Sequence, residues 1–399
     1  MRILLLVDYM LAHLLPALEV AEQLERLGHE VEFVGPLDSE AVVREAGFRF
    51  HGVFTDMYPR GRCFEIDARR PYDARCYVGF LDHIGLLVDG RHRELVDVLR
   101  PDAIVALSFL PLEALTLHYL HGLPLVMISI ALIAPPFVRA QWYLDELREQ
   151  GIAEKIAALA ARRGSLASTP AEVLCPLQAA HVRLSPREFE FPDKLEPDTD
   201  YVAGGVTRRM RTEPREPDLP DTTGRVAYVS LGSEAHIKRE RNLAALVAIQ
   251  AAAAELAGDG WTFWVSAPAE FGLASSASFM VRGWFPQVSA IQRADLVLTH
   301  GGLGTIRECM RFGRPMLVLP RGRDQFENAA RVQRAGLGVD LGDSSLAPAR
   351  LIEIVKSVVA DPSIAERCAH FARAAREADD QLELGRTIER AIQRVASRR

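Results

Sequence analysis

His300 is followed by Gly301, Gly302 and Gly304, then by Thr305 and Glu308, in a stretch that passes from an apolar run (294–300) to a helical pattern. Glycines at a strand-to-helix junction let the backbone approach a ligand closely and turn its N–H groups outward. The helix that follows favours an anion at its start, by roughly 0.3–1 kcal/mol when exposed. His300 and Thr305 add side-chain donors at the same place, so the chemistry on offer is that of a phosphate seat. Three glycines alone fit a plain tight turn equally well, and the flanking residues separate the two readings. Trp284, Pro286 and Gln287 lie upstream, at a spacing that presents an aromatic plane and an amide to a base. Glu308 lies one helical turn after Thr305, placed to accept hydrogen bonds from a ribose diol. Asp324 and Gln325 follow the next apolar run (315–320) and offer hydroxyl-binding side chains.

A second constellation opens the chain. His13 follows an apolar run (2–7) and starts a helical pattern, the edge of an α/β sheet where chemistry is placed. An unperturbed imidazole titrates near pH ~6.5 and suits a general base, although a lone histidine at a helix start is more often structural. Ser233, ending VSLGS, is either a phosphate donor or an ordinary N-cap. Asp198-Thr199-Asp200 spells a possible cation motif, but it falls between Pro197 and a strand-like run (201–205) and is read as a solvated loop; no metal is expected.

The elements that must position these groups alternate strand and helix. Residues 2–7 read as a buried parallel strand, 14–27 as a helix with Leu15, Leu18, Ala21, Leu24 and Leu27 on one face, Gly28 as its stop and 31–35 as the next strand. The same order recurs as strand 225–233, Ala-rich helix 242–256 and strand 261–267. This predicts an α/β protein of two doubly wound, Rossmann-like domains. The boundaries expected are an N-terminal domain (1–210), a Pro- and charge-rich linker (211–224), a C-terminal domain (225–378) and a terminal helix (379–399) with Leu384, Ile388, Ile392 and Val395 as a narrow apolar seam.

Composition sets outer limits. A chain of 399 residues is long enough for two cores, and a net charge of −6 argues against nucleic acid as a partner. Five scattered cysteines without a C-x-x-C pair suggest reduced thiols and a cytoplasmic setting. The apolar N-terminus is interrupted by Asp8, His13 and Glu19, so it reads as part of the fold, and no run reaches the roughly 18 residues of a membrane span. The sequence leaves oligomeric state open and admits a homodimer.

W-x-P-Q (284–287), H-G-G-x-x-T-x-x-E (300–308), G-x-P (313–315) and D-Q-x-x-N-A (324–329) stand in this order. In them the chain resembles the family-1 UDP-glycosyltransferases, the group that includes macrolide and other natural-product glycosyltransferases of bacteria. That resemblance implies the GT-B fold, with two domains facing a cleft and a C-terminal helix crossing back to the first. It implies that Trp284 stacks on the base with Gln287 nearby, that His300, Gly302 and Thr305 hold the diphosphate, that Glu308 takes the ribose and that Asp324 and Gln325 read the sugar. H-x-x-P (13–16) and L-x-x-x-G-H-E-V (24–31) resemble the family's N-terminal segment, where the histidine is the general base.

Two positions depart from that pattern. The family commonly supplies an Asp that orients this histidine just after a strand like 101–107; here Leu107 and Ser108 stand there, and no carboxylate follows before Glu113. Ser108 is a candidate to hold the ring but cannot offset an imidazolium charge. Glu113 or another carboxylate takes the role, or the acceptor is acidic enough to need less help, or activity is modest. Ala12 replaces the usual Gly before the histidine, a variation in loop shape. Aromatics in 52–90 (Phe80 among them) and in 135–143 (Phe137, Trp142) are candidates to line an apolar acceptor pocket, although interleaved arginines and acids fit a solvated face as well.

The expected activity is therefore inverting, metal-independent transfer of a hexose from a UDP- or dTDP-sugar to a hydroxyl of a small hydrophobic natural product, without a cofactor. A nucleotide-sugar 2-epimerase of the same fold, or a non-catalytic nucleotide-sugar-binding helper, are the alternatives.

Overall fold

A computed structural model describes residues 1–68, 82–108, 110–132, 144–164, 179–204, 218–232, 238–342 and 346–397. The chain divides into two units. One comprises Met1–Leu184, Glu196–Val202 and Leu382–Arg399; the other comprises Ser185–Leu195 and Ala203–Gln381. Within the span assigned above to the N-terminal domain (1–210), the chain first visits the second unit at Ser185, returns for one strand and leaves again at Ala203.

The first unit is built on a seven-stranded parallel sheet in the order β3-β2-β1-β4-β5-β6-β7. Its strands are β1 (Arg2–Leu6), β2 (Glu30–Gly35), β3 (Arg49–Gly52), β4 (Ala103–Leu107), β5 (Leu125–Ser129), β6 (Ala180–Arg183) and β7 (Thr199–Tyr201). Strands covered on both faces cannot alternate polar and apolar residues. Accordingly Ile3 to Leu6 are all buried, with Leu5 in register with Phe33 on one side and Val105 on the other. Helix α1 (Leu11–Arg26) follows β1 and buries Leu14, Leu18, Ala21 and Leu24. Helix α2 (Pro111–His121) follows β4.

The C-terminal helix (Glu383–Ala396) belongs to this unit and buries Leu384, Ile388, Ile392 and Val395, the seam seen in the sequence. It crosses α1 closely because Gly385 has no side chain. A Cβ there would lie 2.9 Å from Leu27 Cδ1, and the Gly385 N–H donates to Gln23 Oε1 at 3.0 Å. The strand expected over 201–205 is instead Thr199–Tyr201, so the D-x-D tripeptide enters the sheet edge. Asp200 is not simply solvated: Arg394 of the C-terminal helix donates to its Oδ2 at 2.7 Å.

The second unit has a six-stranded parallel sheet in the order β10-β9-β8-β11-β12-β13. These are β8 (Arg225–Ser230), β9 (Trp261–Ser266), β10 (Phe279–Arg282), β11 (Leu296–Thr299), β12 (Met316–Val318) and β13 (Gly338–Asp340). Helix α3 (Arg239–Leu256) follows β8 and covers one face through Leu246, Ile249, Ala253 and Leu256, against Phe263 and Val265 of β9. Helices α4 (Gln287–Arg293), α5 (Leu303–Phe312) and α6 (Gln325–Arg334) carry the candidate binding motifs. In each sheet the strand order reverses beside the first strand, between β1 and β4 and between β8 and β11. A doubly wound sheet opens its crevice at the carboxyl ends of the strands flanking that reversal. Both constellations lie there.

Candidate functional site

In the second unit the turn after β11 carries His300, Gly301 and Gly302. Gly301 has φ +87°, and a Cβ on it would meet Val318 Cγ1 at 2.8 Å, so both conformation and space require glycine. Gly302 is the N-cap of α5 and offers no side chain to the helix's first N–H groups. Those donors are left for a ligand, with the helix dipole aligned behind them. A Cβ on Gly302 would lie 2.6 Å from His300 Nε2, and one on Gly232, in the turn after β8, would lie 2.7 Å from the same atom. The His300 ring is therefore clasped between the two strand-to-helix turns. Its enclosure pushes the imidazole pKa down to about 4, with a hydrogen bond to the Ser230 backbone offsetting part of the shift. The ring is neutral at pH 7, so what this turn has to offer an anion is dipoles and N–H groups, not a cation.

Trp284 is 62% exposed, an unusual state for so large an apolar ring. Its neighbours fix it there: Phe285 is buried and stacks on Trp264, with ring centroids 6.1 Å apart and planes 6° apart, and Pro286 caps α4. Gln287 Nε2 donates to Glu308 Oε2 at 2.6 Å and reaches Thr305 Oγ1 at 3.4 Å. Glu308 and Thr305 are both buried. Gln287 thus orients the Glu308 carboxylate, a role the sequence reading did not foresee when it placed that amide beside a base.

Asp324 caps α6 in position, and Gln325 Oε1 accepts from the Arg321 backbone N–H at 2.8 Å, which turns the Gln325 NH2 end away from its own loop. Gly304 is in open space, with nothing within 4 Å of a Cβ built on it. Ser233, Phe80, Phe137 and Trp142 lie outside the described residues.

In the first unit His13 occupies the third position of α1, at the carboxyl edge of β1. Its Nδ1 meets Asp8 Oδ2 at 2.5 Å, and Asp8 Oδ1 accepts from the Met10 backbone N–H at 2.9 Å. One carboxylate therefore shapes the turn and holds the ring. Both side chains are largely enclosed, with 11% and 13% of their surface exposed. A carboxylate on Nδ1 fixes the tautomer and offsets an imidazolium when one forms.

Two expectations about this histidine are corrected. Ser108 does not hold the ring: its Oγ is buried without a hydrogen-bond partner, while its backbone N–H continues the sheet by donating to Ile128 O at 2.8 Å. Glu113 is engaged elsewhere, with His83 Nε2 at 2.9 Å, and the other nitrogen of that ring meets Tyr58 Oη at 3.1 Å. Beside the dyad lie exposed apolar groups. Leu11 and Phe64 are each more than half exposed, and Tyr9 packs edge-on against Phe64 at 5.3 Å.

Residues 278–382 match the family model described as the glycosyltransferase family 28 C-terminal domain. The NDP-glycosyltransferase YjiC of Bacillus subtilis (strain 168) is 33% identical over 102 residues, 26% of this chain and 26% of that one. Among solved structures, the glycotransferase of kitacinnamycin aligns over 98% of both chains with a TM-score of 0.70 at 22% identity. Glycosyltransferase VinC in complex with dTDP covers 100% of both with a TM-score of 0.66 at 18% identity. Residues 278–382 thus carry a glycosyltransferase-type C-terminal domain, and the chain as a whole shares the two-domain GT-B fold of these solved structures.

The sequence matches are local: the first curated relatives are covered over only 28% and 26% of their length. The family-model match, residues 278–382, includes the Gly-rich turn at 300–304. The Asp8–His13 pair is a feature the sequence reading missed. The signal was present, an Asp five residues before the histidine in a strand-to-helix turn, but Asp8 was read only as a break in an apolar run. Among the described residues no group of three or more His, Cys, Asp or Glu is arranged to hold a metal ion, and no helix is long and apolar enough to cross a membrane.

Proposed function

We propose that this chain is an inverting, metal-independent glycosyltransferase that moves a hexose from a UDP- or dTDP-sugar onto a hydroxyl of a small hydrophobic natural product. The observation that carries the reading is the Asp8–His13 pair at 2.5 Å. A helper that only binds nucleotide-sugar needs no oriented base, and the apparent lack of an orienting carboxylate was the reason to consider one.

In this mechanism His13 takes the acceptor proton on Nε2 while Asp8 stabilises the imidazolium from Nδ1. The acceptor oxygen attacks the anomeric carbon opposite the diphosphate, so one displacement inverts the configuration. The departing diphosphate is stabilised by the N–H groups at the start of α5, donors already oriented before the reaction, while the neutral His300 ring packs against that turn. Trp284 stacks on the base, Glu308 held by Gln287 binds the ribose, and Asp324 and Gln325 bind sugar hydroxyls. Tyr9, Leu11 and Phe64 supply an apolar surface next to the base, in keeping with a greasy acceptor.

The test is incubation with UDP-glucose or dTDP-glucose and a panel of hydrophobic alcohols, with and without EDTA, read by mass spectrometry. Glycoside plus free nucleoside diphosphate in both conditions supports the reading. Conversion of donor alone would identify an epimerase, and binding without turnover a helper; loss of activity with EDTA would remove the metal-free mechanism.

A further inference from the structure

One buried polar chain in the second unit is unused by this mechanism, and it ends on the Gly-rich turn and on Asp324, which the mechanism does use. It begins in Ser185–Leu195, the short excursion made by the chain between β6 and β7. There Glu190 is buried, and its Oε1 accepts from Arg331 Nε at 2.7 Å, with both side chains only 1% exposed. Arg331 stands on α6. Its Nη2 also donates to Glu327 Oε2 at 3.2 Å, and its guanidinium lies 4.8 Å from the Phe191 ring centre. One turn earlier on α6, Arg331 Nη1 donates to Asn328 Oδ1 at 3.4 Å. Asn328 is fully buried, and its Nδ2 donates to two acceptors: the Gly301 carbonyl at 2.9 Å and Asp324 Oδ2 at 3.0 Å.

The polarity of this chain is its meaning. A guanidinium has donors only, whereas a carboxamide has one donating and one accepting end. Arg331 therefore selects Oδ1 of Asn328, which leaves both N–H bonds for Gly301 and Asp324. A flipped amide would set its oxygen against two other oxygens in a buried site. A buried ion pair is a poor source of stability, because desolvation offsets its attraction, so its worth here lies in the orientation it enforces.

We infer that Glu190 and Arg331 are positioning residues that act through Asn328 to set the Asp324 carboxylate against the phosphate-binding turn, and so determine which donor sugar is accepted. The inference rests on the donor-site reading above and adds to it a determinant outside the ligand shell. Backing by Arg334 is consistent with this. It donates to the backbone carbonyls of Glu188, Phe189 and Glu190 at 2.8, 2.9 and 3.0 Å, fastening the excursion to α6 as a unit.

The test measures, by calorimetry, binding of UDP, dTDP and their glucose and galactose conjugates to the full chain and to two variants. Glu190→Gln combined with Arg331→Met removes both charges together and leaves no lone buried ion. Asn328→Asp keeps the shape and replaces the donating end. In the double variant the free nucleoside diphosphate should bind within about threefold of wild type, while the preference between glucose and galactose conjugates falls by about tenfold. Asn328→Asp should erase that preference in the wild-type background and change it by less than about twofold in the double variant, because the three residues act in series. Equal weakening of nucleotide and nucleotide-sugar would mark a merely structural role and overturn the inference, as would an unchanged sugar preference. If the double variant does not fold, Asn328→Asp alone decides by the same split. Wild type that binds neither UDP nor dTDP defeats the donor-site reading itself; nucleotide binding with no glucose/galactose preference, or with the same preference in every variant, defeats only the relay.

Discussion

The two units solve the same problem, holding chemistry at the carboxyl edge of a parallel sheet, with different materials. The second unit uses backbone: an uncapped helix start, glycines at 301 and 302, and a neutral histidine clasped between Gly232 and Gly302. The first uses two side chains within one turn, Asp8 and His13. A backbone site needs glycine wherever a Cβ would collide, so its composition is forced and its sequence is recognisable. A side-chain pair needs only that two residues meet, and many spacings allow that.

The sharpest break in this comparison is at the base. His13→Ala should lower kcat by about 100- to 10,000-fold while calorimetry finds nucleotide affinity unchanged, because the donor seat belongs to the other unit. Full turnover in that variant would reassign the base. Asp8→Asn comes next. It keeps the turn-forming acceptor near Met10 but removes the charge, so kcat should fall by about 100-fold or more, with a steeper dependence on acceptor acidity. An Asp8→Asn enzyme as fast as wild type would mean that the short contact is structural.

On the backbone side, His300 gives the unit a pH signature. Its folded pKa is about 4 against an ordinary value of 6.5, so the unfolded chain binds the proton more readily. The resulting stability is complete above pH ~6.5 and is lost as pH falls towards 4, amounting to roughly 3 kcal/mol at the acid end. Denaturant titrations of wild type and His300→Asn across pH 7 to 4 should diverge at neutral pH and converge in acid; parallel curves would show that the ring is not desolvated. The smallest effect is expected at Trp284. Replacing it with alanine removes an exposed ring that touches little protein, so thermal stability should hold while nucleotide affinity drops by roughly 1–3 kcal/mol, as for other aromatic–base stacks. Unchanged affinity would place the base elsewhere.

What could be read ahead of the structure follows the same division. The helix expected over 14–27 appears as Leu11–Arg26, and the terminal helix expected within 379–399 as Glu383–Ala396, because their apolar spacing reports directly on the face they bury. Gln287, Thr305 and Glu308, grouped by their place in the motif order, do meet in one hydrogen-bonded set. Gln287 also has a partner that spacing does not show: its amide donates to Glu308, 21 residues away, a pairing made by α4 lying against α5. Ser108 was named for its place after β4, but sequence position does not say which way a hydroxyl points.

By itself the sequence determined the alternation of strand and helix, the burial of the parallel sheets and the chemistry of the Gly-rich turn. Each of these is a local property, set by side-chain period or by the steric demand for glycine. Only the tertiary structure decided that Asp8 holds His13 in place of Ser108 or Glu113, that Asp200 pairs with Arg394, and that Glu190 reaches Arg331 across 141 positions of the chain. Those are contacts between charges, and charge carries no period along a sequence. Their partners are chosen by where the packed strands and helices leave them.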